Sequence, residues 1–158
     1  MSDLKITRTD SGNKDFQDLV VFLDAYLAEK DGDDHPFFAQ YNGIDKIKHV
    51  VVAYIDNKAV GCGALKERKE RTVEIKRMYV LPEFRGQGIA KKILAELENW
   101  AYEVGNSHCI LETGKKQTAA IELYQRTGYK VIDNFDPYIG IDLSICFGKT
   151  IGKDAILQ

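Results

Sequence analysis

The stretch Tyr79-Val80-Leu81-Pro82-Glu83-Phe84-Arg85-Gly86-Gln87-Gly88-Ile89-Ala90 constrains this chain more than any other. An apolar strand end runs into a turn with two glycines, and the turn into the first residues of an amphipathic pattern. A helix start leaves its first backbone N–H groups without partners and carries the positive end of the helix dipole. Gly86 and Gly88 have no Cβ, so an anion can come close to those donors. A phosphate group is the natural guest. The turn is not a P-loop, since no Gly-Lys-Ser/Thr follows, and the G-x-G-x-x-G dinucleotide spacing fails at Lys91.

The helix that follows is predicted over 88–104. Ile89, Ile93, Leu97, Trp100 and Val104 recur at spacings of three and four, with Lys91, Lys92, Glu96 and Glu98 mostly turned away, and Gly105-Asn106 supplies a stop. Upstream, residues 4–9 read as a strand, and Asn13 caps a helix to about residue 29 with Phe16, Leu19, Val20, Leu23 and Leu27 on one face. A short helix is expected over 37–44. Residues 48–55 and 59–66 read as a hairpin around Asp56-Asn57-Lys58, and 72–80 as the next strand. Downstream, the pattern predicts a buried strand over 109–112, a helix over 117–126 ended by Gly128, and strands over 129–132 and 139–147. The last rests on alternation of Ile139, Ile141, Leu143, Ile145 and Phe147. The sum is an α/β (α+β layered) architecture, a mixed sheet with helices on both faces.

Strand 72–80 carries an irregularity. Val73 and Ile75 share one parity and Met78 and Val80 the other, which a regular strand would place on opposite faces. One extra residue near 76–78, a β-bulge, would return all four to one face. Burial on both faces would explain the pattern as well.

At 158 residues the chain is most simply one domain, 1–158, able to bury a core without a metal or disulfide. A net charge of −2 gives no case for nucleic-acid binding. No signal segment or membrane-length apolar run is visible, so the expected location is cytoplasmic, with no membrane partner. Cys62, Cys109 and Cys146 are odd in number and have no C-x-x-C spacing. They read as buried thiols, and with His35, His49 and His108 they form no metal spacing.

A second segment, Gln117-Thr118-Ala119-Ala120-Ile121-Glu122-Leu123-Tyr124-Gln125-Arg126-Thr127-Gly128-Tyr129, follows the glycine turn after one intervening strand. Arg85-Gly86-Gln87-Gly88-Ile89-Ala90 closely resembles motif A, Arg/Gln-x-x-Gly-x-Gly/Ala, of the GNAT N-acetyltransferase superfamily. The second segment resembles its motif B, Asn-x-x-Ala-x-x-Leu-Tyr-x-x-x-Gly-Phe. Gln117 stands where the family usually has Asn, with the same amide on a longer stem, and Tyr129 replaces Phe.

The resemblance implies the acyl-CoA N-acyltransferase fold, a mostly antiparallel sheet splayed between its fourth and fifth strands, and acetyl-CoA as co-substrate with no metal. By position, backbone groups of Met78, Tyr79 and Val80 would pair with pantetheine, and Arg85 would belong to the same site. Amides of Gly86, Gln87, Gly88, Ile89, Ala90 and Lys91 would hold the pyrophosphate. Gln117 and Tyr124 would line the thioester end, with Tyr124 serving the leaving thiolate. The implied activity is acetyl transfer to a primary amine of a small molecule or peptide by direct attack through a tetrahedral intermediate. Such an amine is mostly protonated at neutral pH and needs a general base. Glu74 on the bulged strand and Glu112 on the next are the two carboxylates at positions that relatives use. Glu112 matches the branch that acetylates protein N-termini. Catalysis through water without a single base is the alternative.

The acceptor leaves fewer signs. Glu29, Asp31, Asp33 and Asp34 form an acidic cluster that reads as a solvated loop or as an attractor for a cationic amine. Phe37, Phe38 and Tyr41 are candidates for an apolar wall, and Asn134 to Tyr138 for an overhang. A non-catalytic acyl-CoA sensor and an unrelated nucleotide-binding α/β protein are the competing classes. The resemblance also admits a homodimer.

Overall fold

The structure, a computed structural model, describes residues 3–34 and 47–152. Among these residues seven strands form one sheet in the order β1-β2-β3-β4-β5-β7-β6. They are β1 (Leu4–Thr9), β2 (His49–Ile55), β3 (Lys58–Glu67), β4 (Thr72–Val80), β5 (His108–Gly114), β6 (Lys130–Ile132) and β7 (Ser144–Thr150), and the helices are α1 (Lys14–Asp31), α2 (Ile89–Glu103) and α3 (Thr118–Arg126). Every neighbouring pair is antiparallel except β4 and β5, which run parallel. The helix expected over 37–44, with Phe37, Phe38 and Tyr41, lies outside the described residues.

Helices cover both faces because strand side chains alternate. Val50 and Val52 of β2 pack with Phe16, Leu19, Val20 and Leu23 of α1, whereas Val51 and Ala53 pack with Ile89, Ile93, Leu94 and Leu97 of α2. Asn13 accepts a hydrogen bond from the Phe16 N–H, the capping role its side chain suits. Asp56 and Asn57 both take left-handed backbone angles, φ 50° and 66°, as a two-residue hairpin turn requires.

The bulge is present. Cys62 pairs with Tyr79 and Ala64 with Lys76, so Gly63 alone faces both Arg77 and Met78. Arg77 takes the left-handed conformation, φ 58°, and Val73, Ile75, Met78 and Val80 all reach the α2 side of the sheet. A Cβ on Gly63 would stand 2.6 Å from Met78 Sδ and 2.8 Å from Leu97 Cδ1, so the glycine opposite the bulge lets those side chains pack close to the strand.

Two expectations fail. Residues 139–143 are turns rather than strand, with Ile139 62% and Leu143 38% exposed, and β7 starts only at Ser144. The Asn134 side-chain amide donates to the carbonyls of Tyr138 and Ile141, which holds this segment as a loop despite its apolar alternation. On α2, Glu98 is buried and Val104 half exposed, the reverse of the predicted face. Glu98 accepts from the Tyr129 hydroxyl at 2.8 Å and from Lys149 Nζ at 3.0 Å, which compensates its burial.

Candidate active site

Pairing between β4 and β5 covers only Thr72 with His108, Val73 with Cys109 and Glu74 with Ile110, although the strands continue to Val80 and Gly114. Beyond Glu74 the two strands part, and the far half of β4 has no sheet neighbour on that side. A cavity of about 560 Å³ occupies this region, between β4, the glycine turn, the start of α2 and the length of α3. That is within the range of about 300–1,000 Å³ typical of small-molecule sites.

Met78, Tyr79, Val80, Arg85, Gly86, Gly88, Ile89, Ala90, Lys91, Gln117 and Tyr124 all line this cavity. Gln87 does not; its side chain is exposed, and only its place in the turn connects it to the site. Gly86 and Gly88 have φ of 80° and 79°, and a Cβ at either would meet nothing within 4 Å. Glycine is required there for backbone conformation, and the space above the turn is open. Gly88 is the N-cap of α2 and no side chain caps it. The helix ladder starts with Lys92 N–H to Gly88 O, so the preceding amides are left for an external acceptor. Arg85 Nε donates to Val80 O at 2.9 Å, and its guanidinium lies over the rings of Tyr26 and Tyr79 at 5.0 and 5.5 Å. This contact ties the end of β4 to the turn and fixes one wall of the cleft.

A smaller cavity of about 110 Å³ adjoins the first and shares Leu23, Met78, Gln117, Ala120 and Tyr124 with it. Its other walls bring together Glu74, Lys76 and Arg77 from β4, Glu112 from β5, Asp31 from the end of α1, and Tyr138 from the loop before β7. All three predicted catalytic residues therefore meet here, Tyr124 on the boundary between the two spaces.

The two carboxylates differ. Glu74 is buried and paired with Arg68 Nη1 at 3.1 Å, with Lys76 Nζ at 3.9 Å. Glu112 lacks a cation that close among the described residues. Burial pushes its pKa up to about 7, against the Ser144 hydroxyl that donates to it at 2.5 Å. The charges of Glu74 and Asp31 push the same way and Lys76 opposes them. Burial also raises the Tyr124 phenol and keeps it protonated. Its ring packs edge-on against Tyr129 at 5.7 Å, which fixes its orientation.

Several residues here went unmarked in the sequence. Lys76 and Arg77 fall where the parity of Val73, Ile75, Met78 and Val80 puts the bulge, which says nothing of a cavity. Asp31 belongs to the acidic cluster, yet it is 3% exposed whereas Asp33 is exposed, so the solvated reading holds for one and not the other. Arg68 pairs with Glu74 and also donates to Asp136 O at 2.8 Å, so it holds the Tyr138 loop against β4. Among the described residues no group of three or more His, Cys, Asp or Glu could hold a metal ion, and no helix is long and apolar enough to cross a membrane.

Comparison with known proteins agrees with this geometry. The chain is 33% identical over 84% of its length to an IAA acetyltransferase of Azospirillum brasilense, of which it covers 88%. A Klebsiella pneumoniae protein assigned as an acyl-CoA N-acyltransferase superposes with a TM-score of 0.76 at 34% identity, covering 94% of this chain and 98% of that one. The PaiA N-acetyltransferase of Thermoplasma acidophilum, solved in complex with coenzyme A, shares the fold at 18% identity and a TM-score of 0.67, covering 94% and 99%. The sequence model of the acetyltransferase (GNAT) family matches residues 15–129. With the splayed β4 and β5, the bulge and the open glycine turn, this match shows that the chain belongs to the acetyltransferase (GNAT) family.

Proposed function

We propose that this acetyltransferase moves the acetyl group of acetyl-CoA to the primary amine of a small molecule or peptide, with Glu112 as general base and Tyr124 as donor to the leaving sulfur. The observation that carries the reading is the meeting of two cavities at Tyr124. One has an anion-receptive glycine turn; the other has a carboxyl poised near neutrality.

The residues present fit acetyl-CoA. The turn is open above Gly86 and Gly88, the α2 amides lack a cap, and the unpaired half of β4 offers backbone groups to an extended amide chain. Amides of residues 86–91 would hold the diphosphate, and Met78, Tyr79, Val80 and Gln117 the pantetheine arm. Acetyl-CoA supplies the acyl group: the amine nitrogen bonds to the thioester carbonyl carbon and the C–S bond breaks. Glu112 takes the proton the amine loses, which a carboxyl titrating near neutrality does efficiently. A backbone N–H of the bulge, at Met78 or Val80, serves the carbonyl oxygen. Tyr124, kept protonated, donates a hydrogen bond to the departing sulfur. Glu74 is already compensated by Arg68, which favours Glu112 over it as base.

We place the protein in the cytoplasm, a reading supported by three buried free cysteines. A homodimer is tested by sedimentation. For the activity, acetyl-CoA is titrated in a thermal-shift assay and CoA release is followed across an amine panel. Stabilisation by acetyl-CoA with amine-dependent release supports transfer. Stabilisation with no release from any amine favours an acyl-CoA sensor, and stabilisation by ATP or NAD alone would refute both.

A further inference from the structure

Tyr124 lines both cavities, and among the described residues none hydrogen-bonds to its hydroxyl. Where the hydroxyl stands is therefore set by the packing of the ring and by the helix that carries it. Tyr124 is the one buried residue of α3; the others are half-buried or exposed. A buried polar network that the reaction does not use meets the ring. Tyr129 packs edge-on against it at 5.7 Å, and the Tyr129 N–H donates to Tyr124 O at 3.0 Å. The Tyr129 hydroxyl donates to Glu98 Oε2 at 2.8 Å. Lys149 Nζ donates to the other carboxylate oxygen, Oε1, at 3.0 Å and to Thr127 O, just past the end of α3, at 2.8 Å. Phe147, two residues before Lys149 on the same face of β7, sets its ring 6.2 Å from that of Tyr124.

Each member of the network is satisfied through another. Loss of one partner leaves a buried charge or hydroxyl unmatched, so the three groups hold one geometry. Burial raises the Tyr129 phenol and keeps it a donor. The network joins α2 through Glu98, β7 through Lys149 and the end of α3 through Thr127. It reaches the cleft where the Tyr129 ring meets that of Tyr124. The motif that residues 117–129 resemble ends in Phe, which has no hydroxyl to donate; here Tyr129 supplies one and Glu98 accepts it. A ring tied at its hydroxyl keeps its edge in one place against its neighbour. We propose that Glu98, Lys149 and Tyr129 are positioning residues that hold the Tyr124 hydroxyl at the thioester sulfur. The inference rests on Tyr124 as donor to the leaving sulfur and adds what holds it there.

The test is a double-mutant cycle between positions 129 and 124, run with an amine that supports CoA release. Tyr129→Phe keeps the ring and removes the bond to Glu98. The expected result is a kcat lower by about fivefold or more, with acetyl-CoA affinity by calorimetry within about twofold of wild type. Added to Tyr124→Phe, the same substitution costs nothing further. No loss from Tyr129→Phe, or an equal loss with and without the Tyr124 hydroxyl, overturns the positioning role and leaves Tyr124 as donor. Full activity of Tyr124→Phe overturns both. A loss carried by acetyl-CoA affinity instead of kcat shows α3 loosened as a whole and overturns the proposal too. A second variant, Glu98→Gln, gives a readout free of turnover. It breaks the ion pair with Lys149 without altering Tyr129 or Tyr124. In ¹³C-tyrosine NMR spectra of the free protein, the Tyr124 ring signals shift or broaden in Glu98→Gln while those of Tyr54, on β2, stay in place. Unmoved Tyr124 signals overturn the proposal.

Discussion

Ser144 Oγ donates a 2.5 Å hydrogen bond to Glu112 Oε2, joining the first residue of β7 to a carboxylate of β5 at the wall of the smaller cavity. The bond favours the ionised carboxylate, while burial outweighs it and leaves the group titrating at about 7. Glu112 is therefore held between two opposed effects, and each can be altered separately.

Removing the hydroxyl leaves burial opposed only by the charge of Lys76. In Ser144→Ala the Glu112 pKa rises, and the acidic limb of the kcat/KM profile moves to higher pH. A profile that stays in place or moves down would show that Ser144 does not act on the base.

Glu112→Gln tests the base itself. The amide still accepts from Ser144 but takes no proton, so kcat falls by about 10²- to 10⁴-fold. The acidic limb near pH 7 disappears, while the acceptor's own deprotonation, near pH 10 for an alkyl amine, persists. Acetyl-CoA affinity by calorimetry changes little. A larger loss in Glu74→Gln than in Glu112→Gln would move the role to Glu74.

The same carboxyl makes stability depend on pH. Its folded value of about 7 lies above the unfolded 4.5, so the folded state binds the proton more tightly. The contribution is fully present below 4.5 and is lost as pH rises through about 7. Glu112→Gln removes that loss. The melting temperature of the variant should gain on wild type between pH 5 and pH 8; a constant difference across that window contradicts a raised pKa.

The proposed role of Tyr124 is donation to the sulfur, away from the diphosphate end. Tyr124→Phe keeps the packing against Tyr129 and Phe147. It should lower kcat by about 10- to 100-fold, the worth of one hydrogen bond to a charged group, at nearly constant acetyl-CoA affinity. Full activity in this variant would remove Tyr124 from the reaction.

At Gly88 backbone and ligand effects separate. A Cβ there meets no atom, so Gly88→Ala costs only the left-handed conformation, about 1–2 kcal/mol in chemical denaturation. Gly88→Glu carries the same backbone cost and adds bulk and negative charge where the diphosphate would lie, so cofactor binding is lost. Tight acetyl-CoA binding by Gly88→Glu would place the phosphates elsewhere.

Much of this was legible in the sequence because it depends on local geometry. The open turn at Gly86 and Gly88 follows from their place between strand and helix, and the bulge from the parity of Val73, Ile75, Met78 and Val80. What the sequence hid depends on tertiary partners. Ile139, Ile141 and Leu143 alternate like a strand, yet the Asn134 amide fixes that segment as a loop. Glu98 looks like a solvent-facing helix residue, but Tyr129 and Lys149, distant in sequence, supply its hydrogen bonds. Arg77 carries no signal of its own in the sequence; only the fold shows it buried and paired with Asp24 of α1. Glu74 and Glu112 are both candidates for the base in the sequence, and the fold separates them by Arg68 beside one and Ser144 beside the other.

The most direct measurement is a crystal structure of the protein with acetyl-CoA bound. The account predicts the diphosphate against the amides of residues 86–91, the pantetheine arm along the unpaired half of β4, and the thioester sulfur within hydrogen-bonding distance of the Tyr124 hydroxyl. Acetyl-CoA bound away from the glycine turn, or β4 and β5 closed along their whole length with the thioester outside them, would contradict it.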